Sequence, residues 1–137
     1  ISVPVIKELL TNLPEGVNLL DCSPGTSCNV VCSLQYADSA VLVTEPSLFG
    51  LHDLKMAVQL VRCFNLPLSV IINKYNPEDD RIERYCQQEN IRVLGVIPYD
   101  REVVRVYSSG KMVVQLPEYR ERFEKIAKNL REVFPWN

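Results

Sequence analysis

Val17-Asn18-Leu19-Leu20-Asp21-Cys22-Ser23-Pro24-Gly25-Thr26-Ser27-Cys28 is a short apolar run that ends in a carboxylate and breaks at once into a Pro-Gly turn. A buried strand of this kind would hold Asp21 rigidly at the carboxyl edge of a sheet, in reach of a Mg²⁺ ion or its water. The Pro24-Gly25 backbone could then approach a terminal phosphate with no side chain in the way. The same Asp-x-x-Pro-Gly spacing also makes an ordinary strand-to-loop turn, and this stretch alone leaves both readings open.

Working outward, further unbroken apolar runs appear at 40–43, 68–72 and 93–97. Runs that do not alternate polar with apolar suit parallel strands covered on both faces. Helical patterns lie between them. Leu51, Leu54, Ala57, Val58, Val61 and Phe64 fall on one stripe, and Asn76-Pro77-Glu78 reads as the capped start of a helix reaching about Asn90. A third helix is expected at about 100–109, ending at Gly110. The last begins at Pro117 and spaces Tyr119, Phe123, Ile126, Ala127, Leu130 and Val133 helically. Repeated strand–helix units predict an α/β fold, a three-layer α/β/α arrangement with a mainly parallel sheet.

At 137 residues, 47% hydrophobic and 23% charged, one domain spanning 1–137 is expected. A net charge of -2 gives no electrostatic case for nucleic acid, and no apolar stretch approaches a membrane span. Five cysteines in no secreted disulfide pattern fit a reducing, cytoplasmic compartment. The chain opens at Ile1 without Met and reads as a piece of something longer.

Ligands of parallel α/β sheets sit beyond the carboxyl ends of the strands. The residues at those ends are Asp21–Ser27, Thr44-Glu45-Pro46, Asn73-Lys74 and Pro98-Tyr99-Asp100. Asn73 carries an amide that both donates and accepts, as a purine edge requires, and Pro98-Tyr99 could flank a base. Asn73 taken singly also reads as a turn residue capping the next helix.

In this order, Asp21–Cys28, Val41-Leu42-Val43-Thr44-Glu45-Pro46, Phe49-Gly50-Leu51-His52-Asp53-Leu54-Lys55, Val70-Ile71-Ile72-Asn73-Lys74 and Gly95-Val96-Ile97-Pro98-Tyr99-Asp100 resemble successive landmarks of the MinD/ParA-type P-loop ATPases. The resemblance is closest to the MinD-superfamily ATPases with an inserted ferredoxin domain, and Ser2-Val3-Pro4-Val5-Ile6 is similar to the stretch just after that insert. The resemblance implies that Asp21 holds Mg²⁺ through water and is the catalytic carboxylate. It makes Pro24-Gly25 a switch segment sensing the γ-phosphate. It also implies that Asn73 contacts adenine and that Pro98, Tyr99 and Asp100 close the base pocket. Asn76 stands where guanine-specific relatives carry Asp, which favours adenine. The implied activity is ATP hydrolysis in a nucleotide-sandwiched homodimer, coupled to iron–sulfur or electron-transfer chemistry.

One part is missing. A P-loop needs G-x-x-x-x-G-K-[ST], and glycines at 16, 25, 50, 95 and 110 provide none. The resemblance therefore assigns this chain to the C-terminal part of the ATPase, a partial P-loop NTPase fold lacking the P-loop strand. ATP and Mg²⁺ would bind the parent protein, iron–sulfur clusters an upstream ferredoxin insert, and nothing tightly this chain alone, which is expected to be inactive. The alternative is a non-catalytic interaction domain that keeps the fold without the nucleotide. The resemblance further implies a P-loop strand lying between the strand ending at Asp21 and that at 40–43, so in its absence those two are expected to close up directly, or another chain to supply the strand between them.

Cys22, Cys28 and Cys32 are spaced C-x₅-C-x₃-C, which matches no compact metal motif, and they are expected to be buried thiols. Thiolates beside a switch segment could instead hold iron–sulfur or zinc. His52 is expected to be a surface or helix-capping residue and not a ligand. Leu130, Val133, Phe134 and Trp136 are expected to pack on the sheet, Pro135 stopping the last helix.

Overall fold

Six apolar positions at helical spacing, flanked by apolar runs, fold as the periodicity requires. In a computed structural model, which describes residues 3–134, the elements run α1 (Val3–Thr11), α2 (Cys28–Leu34), β1 (Ala40–Thr44), α3 (Leu48–Cys63), β2 (Leu68–Tyr75), α4 (Arg81–Gln88), β3 (Arg92–Pro98), α5 (Arg101–Ser108), a 3-10 turn at Val113–Gln115 and α6 (Pro117–Val133). The sheet is wholly parallel in the order β1-β2-β3.

Helices cover both faces. Leu54 and Val58 of α3, Val70 and Ile72 of β2, Ile82 and Cys86 of α4 and Ile91 form one buried cluster. Every residue of the α3 stripe is buried or half-buried, whereas His52 on the same helix is exposed. On the opposite face α6 lies over β3. A Cβ added at Gly95 would stand 2.6 Å from Ile126 Cγ1, so the missing side chain lets α6 approach the strand. Asn129 Nδ2 donates to the Leu94 carbonyl at 2.7 Å, and Arg92 pairs with Glu132 at 2.8 Å, fixing the same helix at two further points. Leu130, Val133 and Phe134 are half-buried, Ala127 is exposed against expectation, and Ser2, Pro135 and Trp136 lie outside the described residues.

Four further expectations are corrected. The run Val17–Leu20 is not a strand; Val17 and Leu19 are 54% and 87% exposed. A strand forms only where a neighbour completes its ladder, and here Asn18 Nδ2 turns back to the Pro14 and Gly16 carbonyls at 2.9 and 3.0 Å. The direct closure of 17–20 on 40–43 is therefore not seen, and the outer edge of β1 has no strand beside it among the described residues. Secondly, α4 starts at Arg81, not at Asn76; the Asn76 Oδ1 accepts from Glu78 N at 3.1 Å in a separate turn, with Asp79 bonded to Arg81 Nε at 2.6 Å before the helix opens. Thirdly, β2 runs on to Tyr75, so Asn73 sits within a strand and is no helix cap.

The fourth concerns the thiols. Cys32 is buried as expected, but Cys22 and Cys28 are exposed. They were expected to be buried with the apolar segment before them, and that segment lies open. Cys63 is exposed and Cys86 buried, and burial pushes the Cys86 thiol up to about 11. Because the thiolate is the reactive form, brief iodoacetamide treatment should label Cys22, Cys28 and Cys63 and spare Cys32 and Cys86. Mass spectrometry of the peptides checks this, and fast labelling of Cys86 would contradict the packing of α4.

Candidate functional site

Three strands running the same way bring their carboxyl ends to one edge, and the local chemistry there is set by two irregularities. The first is the turn after β1. Thr44 Oγ1 donates to the Gly50 carbonyl at 3.0 Å, and Ser47 Oγ accepts from Gly50 N at 2.9 Å to cap α3. A Cβ at Gly50 would fall 2.2 Å from the Glu45 carbonyl oxygen, so only glycine lets the chain fold back this tightly. The fold-back leaves the Glu45 carboxylate at the edge. Leu48 and Phe49, in the same first turn, are 74% and 85% exposed.

The second irregularity is the end of β2. The ladder with β3 shifts register between Ile72 and Tyr75, and Lys74 has φ +50, an uncommon conformation outside glycine. Asn73 Oδ1 accepts from Lys74 N at 2.9 Å, which supports that conformation and leaves the Nδ2 donor facing outward without a partner among the described residues. Lys74 Nζ then reaches Glu45 Oε2 at 2.8 Å, joining the ends of β1 and β2. The hydrogen bond to Glu45, with its negative charge, holds the Lys74 ammonium above its usual range. Both partners are about half exposed, so solvent screens the pair and it adds little to stability; its effect is to place a cation beside Asn73.

At the end of β3, Pro98 is half-buried and Tyr99 63% exposed. Asp100 is the N-cap of α5, its Oδ1 accepting from Glu102 N at 2.8 Å, while its Oδ2 accepts from Tyr119 Oη at 3.1 Å. Asn73, two residues before the end of β2, and the 98–100 segment, which begins at the last residue of β3, thus lie on adjacent paired strands. Asp21, Pro24 and Gly25 do not join them on a strand: they lie in the exposed irregular segment before α2. Gly25 has φ +92, which glycine alone adopts freely.

Among the described residues no group of three or more His, Cys, Asp or Glu side chains could hold a metal ion. Mg²⁺ does not need one, since it binds through one or two carboxylates, substrate phosphates and several waters. The exposed Asp21 carboxylate, with no hydrogen-bond or ion-pair partner among the described residues, fits that role as a single anchor. A groove of about 650 Å³ lined by Tyr107, Met112, Val113, Val114 and Phe123 among others contains none of the predicted site residues. The carboxyl edge is open, as one wall of a site would be. Glu45, Lys74 and Tyr119 were not foreseen as site residues; Glu45 and Lys74 are visible at strand ends, but their pairing is not.

Residues 12–114 match the CobQ/CobB/MinD/ParA nucleotide binding domain family. An uncharacterised protein of Methanocaldococcus jannaschii is 34% identical over 111 residues, 81% of this chain and 38% of the relative. An iron–sulfur cluster carrier protein of Aquifex aeolicus is 29% identical, covering 84% of this chain and 36% of its own length. The chloroplastic septum site-determining protein minD homolog of Arabidopsis thaliana is also 29% identical, over 75% of this chain and 35% of that protein. The chain thus spans little more than a third of these relatives. Among solved structures, a Borrelia burgdorferi chain bound to AMPPNP and named for plasmid partition shares the fold, with a TM-score of 0.59 at 17% identity over 76% of this chain and 43% of that one. An ordered set of strand-end motifs, a parallel sheet layered between helices and a family match across most of the sequence have one reading: the chain belongs to the CobQ/CobB/MinD/ParA nucleotide-binding domain family.

Proposed function

We propose that this chain is the C-terminal part of a MinD-like ATPase, carrying the metal-anchoring carboxylate, the switch segment and the adenine side of the nucleotide site. The observation that carries this reading is the convergence of Asn73 and Pro98–Asp100 near the ends of adjacent parallel strands, next to an apolar strand edge with nothing beside it among the described residues. β1 is an outer strand of the sheet, Val41 and Val43 on one of its faces are 37% and 64% exposed, and the strand carries no charge or proline of the kind that blunts natural sheet edges. Such an edge is suited to receive a strand, and a strand leading into a P-loop from the other part of the protein fits it.

In this reading Asn73 donates from its free Nδ2 to the base, and its Oδ1, already holding Lys74 N, has a second lone pair for an exocyclic amine. Tyr99 flanks the base. Pro24-Gly25 approaches the γ-phosphate with backbone alone. Asp21 orients Mg²⁺ through water, and the metal supplies charge neutralisation for the triphosphate when bound. Two nucleotide-bound copies would pair, with Leu48 and Phe49 as exposed apolar surface for contact. Coupling to iron–sulfur or electron-transfer chemistry is supported by the iron–sulfur cluster carrier among the relatives and by the resemblance to proteins with a ferredoxin insert.

This chain alone lacks the amides and lysine that cradle phosphates, and positioning is most of phosphoryl transfer. A few hydrogen bonds at an open edge must also offset the several kcal/mol lost on immobilising a ligand. Calorimetry should therefore detect no Mg-ATP binding at micromolar concentrations, and the chain should release no phosphate. The same chain joined to a P-loop half should bind and turn over slowly. Tight magnesium-dependent binding by the isolated chain would refute the division of labour. A joined protein that binds no nucleotide would favour the non-catalytic interaction domain.

A further inference from the structure

Asp100 has both carboxylate oxygens engaged by the fold. Oδ1 caps α5 through Glu102 N at 2.8 Å, and Oδ2 holds the Tyr119 hydroxyl of α6 at 3.1 Å. Tyr119 is 2% exposed and sits in the first turn of a helix that is itself fastened to β3 through Gly95, Asn129 and Glu132. Burial, and then the bond to Asp100, push its phenol up to about 12, so it remains a donor throughout the neutral range. The ring immediately before Asp100, that of Tyr99, is by contrast 63% exposed.

We propose that Tyr119 and Asp100 form a latch that fixes the Pro98–Tyr99 segment as a wall for a purine base, Tyr119 being a positioning residue and Tyr99 the surface the base meets. Asp100, counted by the family resemblance among the base-pocket residues, thereby acts through the backbone it holds and not by contact with the base. The inference rests on the nucleotide-binding reading above. It is specific in one respect: a latch on the base wall affects only ligands that have a base.

The test uses the protein in which this chain is joined to its phosphate-binding half, titrated with ATP and separately with inorganic tripolyphosphate. Tyr119→Phe keeps the buried ring and removes the hydroxyl. Asp100→Ser keeps a short cap for Glu102 N and is too short for Tyr119. Asp100→Asn can remake both bonds, its amide donating to the tyrosine oxygen. Tyr119→Phe and Asp100→Ser should each weaken ATP about fivefold, the loss expected for one hydrogen bond. They should leave tripolyphosphate affinity unchanged, and Asp100→Asn, which can remake both bonds, should recover most of the lost ATP affinity. Equal weakening of tripolyphosphate would reduce the latch to a general structural contact and overturn the inference, as would unchanged ATP affinity in both variants. A parent protein that binds no ATP would instead overturn the nucleotide reading itself.

Discussion

Replacing Asp21 by Asn in a protein that joins this chain to a phosphate-binding loop should cut ATP hydrolysis on the order of 100-fold, the scale on which single charge-stabilising groups act. ATP affinity should change by less than about threefold, because the contacts that hold the triphosphate in P-loop proteins come from the loop's amides and lysine. Asn has nearly the same shape as Asp, and Asp21 is exposed with no hydrogen-bond partner among the described residues, so the fold should not notice the exchange. Steady-state phosphate release and equilibrium titration separate the two effects. An unchanged rate would remove Asp21 from the metal site.

A second large effect is expected in the core. Ile72 of β2 is fully buried between α3 and α4, in the cluster with Leu54, Val58, Ile82 and Cys86. Ile72→Ala should lower the unfolding free energy by about 2–5 kcal/mol through lost transfer energy and the cavity left behind. Set against a domain stability of about 5–15 kcal/mol, that is enough to unfold a marginal protein. Denaturant midpoints at fixed protein concentration measure it; a loss below about 1 kcal/mol would mean that the central strand is less tightly packed than its burial indicates.

The elements that could be read from sequence are those whose partners lie within the chain. The α3 stripe, the runs that became β1, β2 and β3, and the apolar spacing of α6 each meet a neighbour encoded in these residues. Val17–Leu20 carries the same signal, but an apolar run becomes a strand only where a ladder completes it, and among the described residues no such ladder is present. Its exposure also carried Cys22 and Cys28 to the surface. The start of α4 was misplaced because Asn76-Pro77 serves equally as a helix cap and as a turn, and Asp79 with Arg81 decides between them. The helix α1 was not foreseen, although Pro4 in its first turn and Leu9-Leu10 at its end were signals. For the site, the strand ends named Asn73 and Pro98–Asp100 directly. The Tyr119–Asp100 bond spans 19 residues and two elements, and no local pattern announces it.

An outer edge of β1 with no strand beside it among the described residues couples the chain's folding to mass action. A row of unpaired amides and carbonyls beside Val41 and Val43 gains by meeting any extended segment, and at high concentration the most abundant source is another molecule of the same kind. Whatever binds the folded form in preference to the unfolded one raises its apparent stability in proportion to the logarithm of concentration. The melting temperature of this chain should therefore rise with its own concentration. An added peptide that pairs with β1 would act on it as a ligand does.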